Sequence, residues 1–213
     1  MAWMAERSAG VRAKLAQFRT IPGNARALEV GSGAHGLIFF FEAASKVGVD
    51  PLADHYRQLF PTWQDRAETL AAFGESLPFP DESFDIVLCD NVVDHAETPQ
   101  RICEELVRVL RPDGLLYFAV NVHHRFYRWA SSLHAAWRSA GIPFEVTPFA
   151  DHTVHLTLDD ARNLFSRLSI ERLLDEDSIE ATKQAPVRSR HAGDWFKRLF
   201  FKNARYVLIA ARL

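Results

Sequence analysis

The sequence predicts an α/β protein with a doubly wound, largely parallel sheet. Apolar strand-like segments alternate with helix-like segments, a glycine-rich turn directly follows the first strand, and the second strand ends in an aspartate. The segment 84–89 is almost wholly apolar, as is usual for a parallel strand buried on both faces. Strands are predicted over residues 25–30, 48–50, 68–73, 84–89, 115–120, 169–174 and 206–211.

Helical segments separate these strands. Near the start of the chain, Trp3, Val11 and Leu15 recur roughly on one helical face. Further along, Pro99 suits the first turn of a helix, and apolar residues then repeat at helical spacing. The charged segment 175–203 predicts a mobile loop followed by a short helix. Helices are predicted over residues 2–18, 37–46, 53–60, 98–110, 122–140, 158–168 and 192–200.

Length, charge and cysteine content exclude several classes of protein. The chain has 213 residues and a formal net charge of −2, so it offers no global basic field for nucleic acid or an anionic membrane. It contains no run of 18 apolar residues and no signal-peptide pattern at its start, so a cytoplasmic protein is expected. Cys89 and Cys103 lie in apolar contexts and are expected to be reduced core thiols, with no zinc-binding spacing.

The glycine turn at residues 31–36 and the aspartate that ends the next strand form a nucleotide-binding half-site. Glycine lets the backbone pass close to a ligand. An ionised Asp50 can accept two hydrogen bonds from a ribose diol. Turns of this type serve dinucleotide dehydrogenases as well as enzymes that use S-adenosylmethionine (SAM), so the turn alone leaves the nucleoside open.

Four sequence blocks follow one another in the first half of the chain. Two of them are LEVGSG at residues 28–33 and GVD at residues 48–50. The others are LPFPDESFDIV at residues 77–87 and ELVRVLRPDG at residues 105–114. In order and spacing, the four blocks resemble the class I SAM-dependent methyltransferases of the small-molecule type. The resemblance implies a Rossmann-like sheet of seven strands, with helices on both faces and an antiparallel final strand pair.

The resemblance also implies which residues of the first turn bind SAM. Glu29 matches the acidic position that holds the methionine amino group. Gly31 and Gly33 would bring the backbone against the methionyl and ribose parts of the cofactor. Ser32 and Gly36 complete the turn, although Gly36 lies three residues after Gly33 where the family usually has two.

Residues after the second and third strands would bind the ribose and the adenine. Asp50 matches the ribose-binding acid, and Pro51 would pack on the adenine face. Glu75 and Ser76 fall where the family lines the adenine edge. Because Phe73 stands about where the family often has an aspartate, backbone groups are expected to recognise the adenine amino group.

Polar residues follow the fourth strand, at the edge of the sheet where ligands bind. Asp90 and Asn91 are predicted to contact the methionyl end of SAM. His95 is the predicted general base, since an unperturbed histidine titrates near neutral pH. The alternative is that His95 only packs near the cofactor, because methyl transfer to a pre-formed nucleophile needs positioning more than a base.

A second group of histidines occurs later in the chain, at His123, His124, His152 and His155, with Asp151 beside them. Three interpretations stay open: the group lines the acceptor pocket, which is favoured, it is structural, or it binds a metal ion. His124 and His155 are the predicted acceptor contacts, and no metal is assigned.

Together these features predict a SAM-dependent methyltransferase that transfers a methyl group to an O, N or C atom of a small molecule. We expect one domain over residues 1–213, with the N-terminal helix 1–20 and the insertion 121–168 as lid and acceptor region. No nucleic-acid or membrane partner is expected. One alternative is a non-catalytic SAM-binding protein. The other is a nicotinamide-dependent oxidoreductase, which leaves the blocks at residues 77–87 and 105–114 unexplained.

Overall fold

Seven strands form one twisted sheet in the computed structural model, which describes residues 2–126, 155–184, 201 and 203–213. The strands are β1 (Arg26–Val30), β2 (Ser45–Val49), β3 (Glu68–Leu70), β4 (Phe84–Asp90), β5 (Leu110–Val122), β6 (Ile170–Asp177) and β7 (Ala204–Arg212). They are arranged in the order β3-β2-β1-β4-β5-β7-β6. The first five strands pair in parallel, whereas β7 runs antiparallel to both of its neighbours. The predicted doubly wound sheet with an antiparallel final pair is confirmed.

Helices cover both faces of this sheet. They are α1 (Ala2–Ala16), α2 (Ala53–Leu59), α3 (Pro61–Gln64), α4 (Pro99–Val109), α5 (Leu158–Asn163) and α6 (Ile179–Gln184), with 3₁₀ turns at Leu37–Phe39 and Val93–His95. On one face, Leu15 of α1 belongs to a buried apolar cluster with Leu88 of β4. On the other face, Ile102 of α4 belongs to a second cluster with Val87 of the same strand. No helix in the described residues is both long and apolar enough to cross a bilayer.

The helix predicted over residues 37–46 is wrong. Only the 3₁₀ turn Leu37–Phe39 forms, and β2 begins at Ser45. Phe39 and Phe41 are both buried in the same cluster, at 1% and 2% exposure. On an α-helix, residues two apart point about 200° away from each other, so a continuous helix could not bury both on one face. Burial of the aromatic side chains therefore overrides the helical pattern.

Other boundaries differ for local reasons. Residues 111–114, which lie between the predicted helix 98–110 and the predicted strand 115–120, form a bulge inside β5, where the pairing register shifts and Asp113 takes a positive φ of 63°. The predicted loop from residue 175 instead continues β6 to Asp177 and then forms α6. Asp175 is held in the strand because its carboxylate pairs with Arg162 and Arg172.

Some predictions fall outside the described residues. They are most of the helix over 122–140, the short helix over 192–200, His152 with Asp151, and the greater part of the insertion 121–168.

Two residues of α4 tie this helix to the segment that precedes β4. The Arg108 guanidinium contacts both carboxylate oxygens of Glu105 at 2.7 Å and Asp81 at 2.8 Å. Glu105 is only 3% exposed, and it also accepts a hydrogen bond from the Leu77 N–H at 2.8 Å. The hydrogen bond from Arg108 holds the pKa of Glu105 below its usual range. This network joins the two sequence blocks that flank β4.

We expect Arg108→Leu to destabilise the fold, because the buried Glu105 would keep only a longer contact with the Arg101 guanidinium, at 3.5 Å. Removing one partner of a buried ion pair costs about 3–5 kcal/mol, and the partial exposure of Arg108 reduces the expected loss to roughly 2–3 kcal/mol. Urea unfolding measures the change in the free energy of unfolding. The control is Lys14→Ala, which breaks a half-exposed pair with Glu176 and should cost about 0–1 kcal/mol. Equal losses in the two variants would contradict the role of Arg108.

Candidate cofactor and active site

The candidate site lies at the carboxyl edge of the sheet, where β1 and β4 are neighbours and the strand order reverses. Ligands of doubly wound sheets bind at this position. Gly31 follows β1 and Asn91 follows β4, and both take positive φ angles, of 75° and 59°. Two cavities meet here, because both are lined by Gly31 and Asn91.

The larger cavity has a volume of about 970 Å³ and extends from this meeting point over the ends of β2 and β3. Asp50, Pro51, Glu75 and His95, all predicted from the sequence, contribute to its lining. The predicted residue Ser76 is exposed and does not line it. Sequence reasoning assigned no contact to Leu52, Tyr56 and Phe73, which add apolar surface to the cavity wall.

Asp50 is held in place by two backbone groups. Its Oδ2 accepts from the Gly33 N–H at 3.0 Å, and its Oδ1 accepts from the Leu52 N–H at 2.9 Å. An ionised carboxylate has about four acceptor positions, so roughly two remain for a ligand. A Cβ built on Gly33 would meet nothing within 4 Å, so a ligand can approach the backbone at that point.

The smaller cavity, of about 360 Å³, lies on the other side of Gly31. The predicted residues Glu29, Ser32, Gly36 and Asp90 all line it. The buried Oγ of Ser32 has no hydrogen-bond partner among the residues that the structure describes.

Two arginines that the sequence analysis missed also line the smaller cavity: Arg7 from α1 and Arg205 from β7. Each donates a hydrogen bond to one oxygen of Asp90. Burial lowers the pKa of Arg205, but the charge and hydrogen bond of Asp90 outweigh it, and the pKa rises. These residues stand 83 and 115 positions from Asp90, and no local sequence pattern connects them.

Glu29 points from β1 towards the 3₁₀ turn and is 2% exposed. Its two carboxylate oxygens accept from the N–H groups of Leu37 and Ile38, at 3.1 and 2.8 Å. Burial raises the pKa of Glu29 to about 8, although these two hydrogen bonds lower it. The side chain is therefore mostly neutral near pH 7, and its described hydrogen bonds are to the 3₁₀ turn that follows the glycine turn.

Two glycines of the turn are required by packing within the protein. A Cβ on Gly31 would lie 2.2 Å from Cγ2 of Val92, in addition to the strain of its positive φ. A Cβ on Gly36 would lie 2.3 Å from Oε2 of Glu29 and 2.4 Å from the Ser32 carbonyl oxygen. Gly36 is thus the residue that lets the Glu29 carboxylate reach the backbone beyond it.

His95 ends the 3₁₀ turn after β4, and its side chain is 49% exposed at the wall of the larger cavity. Its Nε2 lies 3.8 Å from Oδ2 of Asp94, which is fully buried. The imidazole thus combines access to the cavity with a carboxylate neighbour, which is the arrangement that a general base needs.

Three histidines of the second group are described: His123, His124 and His155. The rings of His123 and His155 are both buried, with centroids 5.0 Å apart. Nδ1 of His124 accepts from the Phe126 N–H at 3.2 Å, and burial lowers the pKa of its imidazole. Neither His124 nor His155 lines the two cavities formed by the described residues. Within those same residues, no three His, Cys, Asp or Glu side chains come close enough to bind a metal ion.

Comparisons with known proteins agree with this geometry. Residues 28–118 match the protein family described as Methyltransferase domain. A Mycobacterium sp. (strain JLS) protein named an uncharacterized methyltransferase is 37% identical over 113 residues, which are 50% of this chain and 43% of that protein. The thiol S-methyltransferase of Mus musculus is 32% identical over 103 residues, covering 45% of this chain and 42% of its own length. The chain thus spans less than half the length of these curated relatives.

Solved structures match over nearly the whole chain at low sequence identity. A candidate methyltransferase of Bacillus halodurans C-125 has a TM-score of 0.66 at 16% identity, over 93% of this chain and 97% of that one. Geranyl diphosphate methyltransferase in complex with SAM has a TM-score of 0.62 at 14% identity, over 97% and 85% of the two chains. These structures confirm the predicted fold, and the family match confirms the resemblance read from the sequence blocks.

The raised pKa of Glu29 predicts how stability depends on pH. The folded state binds this proton more tightly than the unfolded chain does, with pKa values of about 8 against 4.5. The stabilisation is therefore complete below pH 4.5 and is lost as the pH rises to about 8. Relative to Glu29→Gln, the wild type should lose free energy of unfolding between pH 5.5 and 8.5, as measured by urea unfolding. A difference between the two proteins that is constant across this range would contradict the prediction.

Proposed function

We propose that this protein is a SAM-dependent methyltransferase that acts on a small-molecule acceptor, because residues 28–118 match the methyltransferase domain family. The observation that carries the proposal is the pair of cavities that meet at Gly31 and Asn91. One has a carboxylate with spare acceptor positions, and the other has two guanidinium groups. An adenosyl group and an amino-acid group joined at one sulfur atom match these two environments.

The larger cavity suits the adenosyl part of SAM. Asp50 can accept hydrogen bonds from both ribose hydroxyls, because its existing backbone contacts leave acceptor positions free. Pro51, Leu52 and Phe73 offer apolar surface for the faces of the adenine ring. Glu75 lines the same cavity and would contact the edge of the adenine ring.

The smaller cavity suits the methionyl part. Arg7 and Arg205 carry two positive charges against the single negative charge of Asp90, while the pKa of Glu29 near 8 leaves that group mostly neutral at pH 7. The excess positive charge, with guanidinium N–H groups pointing in several directions, is suited to a carboxylate. Glu29 and Asp90 remain as partners for the ammonium group of the same amino acid.

Bound SAM would supply an electrophilic methyl group on a sulfonium. The residues of the chain position the acceptor beside that group and exclude water from it. His95 lies on the wall of the larger cavity and accepts the proton that the acceptor loses. Because Arg7 belongs to α1, the N-terminal helix would act with the insertion 121–168 as the lid over the site, and His124 and His155 of this insertion would contact the acceptor.

Binding and turnover assays test this function. Calorimetric titrations with SAM and with NADH distinguish a SAM enzyme from an oxidoreductase. The formation of S-adenosylhomocysteine (SAH) is then followed with a panel of small acceptors that begins with thiols, since the mouse relative is named a thiol S-methyltransferase. SAM binding without SAH formation on any acceptor would favour a non-catalytic SAM-binding protein, and failure to bind SAM would refute the proposal.

We expect Arg7→Gln to weaken binding of SAH by about tenfold, since charge-assisted hydrogen bonds contribute about 1.5–3 kcal/mol. Binding of 5′-methylthioadenosine, which lacks the amino-acid part, should not change. Asp50→Asn is the matched control, because the ribose occurs in both ligands and affinity should fall for both. Calorimetry measures all four affinities. Equal effects of Arg7→Gln on the two ligands would rule out a contact with the methionyl carboxylate.

We expect His95→Ala to lower kcat by about 100- to 10,000-fold, the range for a positioned general base, with little change in SAH affinity. The control is His55→Ala, which removes an exposed histidine of α2 that lines neither cavity. Steady-state kinetics with the acceptor found above measure the effect. Full activity in His95→Ala would leave catalysis to positioning alone and give His95 a packing role.

A further inference from the structure

The backbone after the glycine turn lacks the hydrogen bonds of a helix. In an α-helix, the N–H groups of Leu37 and Ile38 would donate to the carbonyls four residues earlier, on Gly33 and Ala34. Here both N–H groups donate to the Glu29 carboxylate. Two carbonyl oxygens of the turn are therefore left for another donor.

Gln64, the last residue of α3, supplies that donor. Its Nε2 lies 3.2 Å from the Gly33 carbonyl oxygen and 3.1 Å from the Ala34 carbonyl oxygen. The residue is 2% exposed, and in the described part of the chain its Oε1 has no hydrogen-bond partner. Because both contacts are carbonyls, the amide nitrogen must face the turn. Burying an amide oxygen without a hydrogen-bond partner costs free energy. The two hydrogen bonds to the carbonyl oxygens offset this cost and maintain the orientation of the amide.

Ring contacts hold α3 against the glycine turn. The His35 ring lies 4.9 Å from the Phe60 ring, measured between centroids, and the Phe40 ring lies 5.7 Å from the Trp63 ring. The Arg66 guanidinium covers the Trp63 ring at 4.6 Å. These contacts connect the last part of the glycine turn, and the backbone that follows it, with the helix that carries Gln64, and they position its amide.

We propose that Gln64 is a positioning residue for the cofactor, one that holds the glycine turn in its ligand-binding shape in place of the absent helical turn. The inference rests on the proposed function, in which this turn binds SAM. Gly33 is held on both sides, because its carbonyl accepts from Gln64 and its N–H donates to Asp50. Gln64 thus orients the peptide groups beside the carboxylate that receives the ribose. A turn ordered in advance binds its ligand more tightly, because less conformational entropy is lost on binding.

Two substitutions test the proposal through SAH affinity, measured by calorimetry. Gln64→Met keeps the length of the side chain and removes both donated hydrogen bonds, so SAH affinity should fall by about tenfold or more. Gln64→Glu places a carboxylate against two carbonyl oxygens, and only its protonated form can donate. The ratio of its SAH affinity to that of the wild type should therefore rise as the pH falls from 8 to 5.5.

The matched control is Gln100→Met, which removes a similar bond, from Nε2 to the Leu164 carbonyl oxygen at 3.1 Å, away from the turn. Gln100→Met should leave SAH affinity unchanged, even if it lowers the melting temperature of the protein as much as Gln64→Met does. Unchanged affinity in Gln64→Met, or a ratio for Gln64→Glu that does not vary with pH, would overturn the proposal. A folded wild type that binds no SAH would refute the proposed function instead.

Discussion

The candidate site depends on hydrogen bonds from two side chains, which replace the backbone hydrogen bonds that a helix would form after the glycine turn. Aromatic burial pulls residues 39 and 41 into one core cluster, so the backbone after the turn cannot wind into an α-helix. The backbone N–H and C=O groups that would have paired in the first turn of that helix still require hydrogen-bond partners. Glu29 takes the two N–H groups, and Gln64 takes the two carbonyls. Two buried side chains thereby replace the backbone hydrogen bonds of a helical turn. Gly36 leaves the space that the Glu29 carboxylate occupies.

The parts of the fold that follow from local pattern could be predicted from the sequence. A buried strand such as β4 is a short apolar run, and a glycine turn followed by a strand ending in Asp50 has one arrangement in a parallel sheet. The helix predicted over residues 37–46 does not form, because helical spacing and aromatic burial conflict there and burial in the core prevails. Arg7 and Arg205 were missed because only the folded sheet brings them to Asp90. The role of Gln64 was hidden for the same reason.

The two cavities that meet at Gly31 differ in the charged groups that line them. On one side, Asp50 is the charged group held closest to the turn, and apolar side chains form much of the remaining wall. On the other side, two guanidinium groups surround one carboxylate, and burial suppresses the ionisation of Glu29. Under the proposed function, this difference favours one orientation of the ligand, with the adenosyl end in the larger cavity and the zwitterionic end in the smaller one.

The antiparallel direction of β7 determines when one side of the candidate site becomes complete during folding. Because β7 runs opposite to β5, its first residues lie at the carboxyl edge of the parallel strands, and Arg205 reaches Asp90 from there. This strand is the last of the seven in the chain. A nascent chain that has already folded its parallel strands on the ribosome would hold Asp90 without one of its two cations. Any cofactor contact that uses Arg205 would then form only after β7 has joined the sheet, so it would stabilise the complete sheet and not the earlier folding steps.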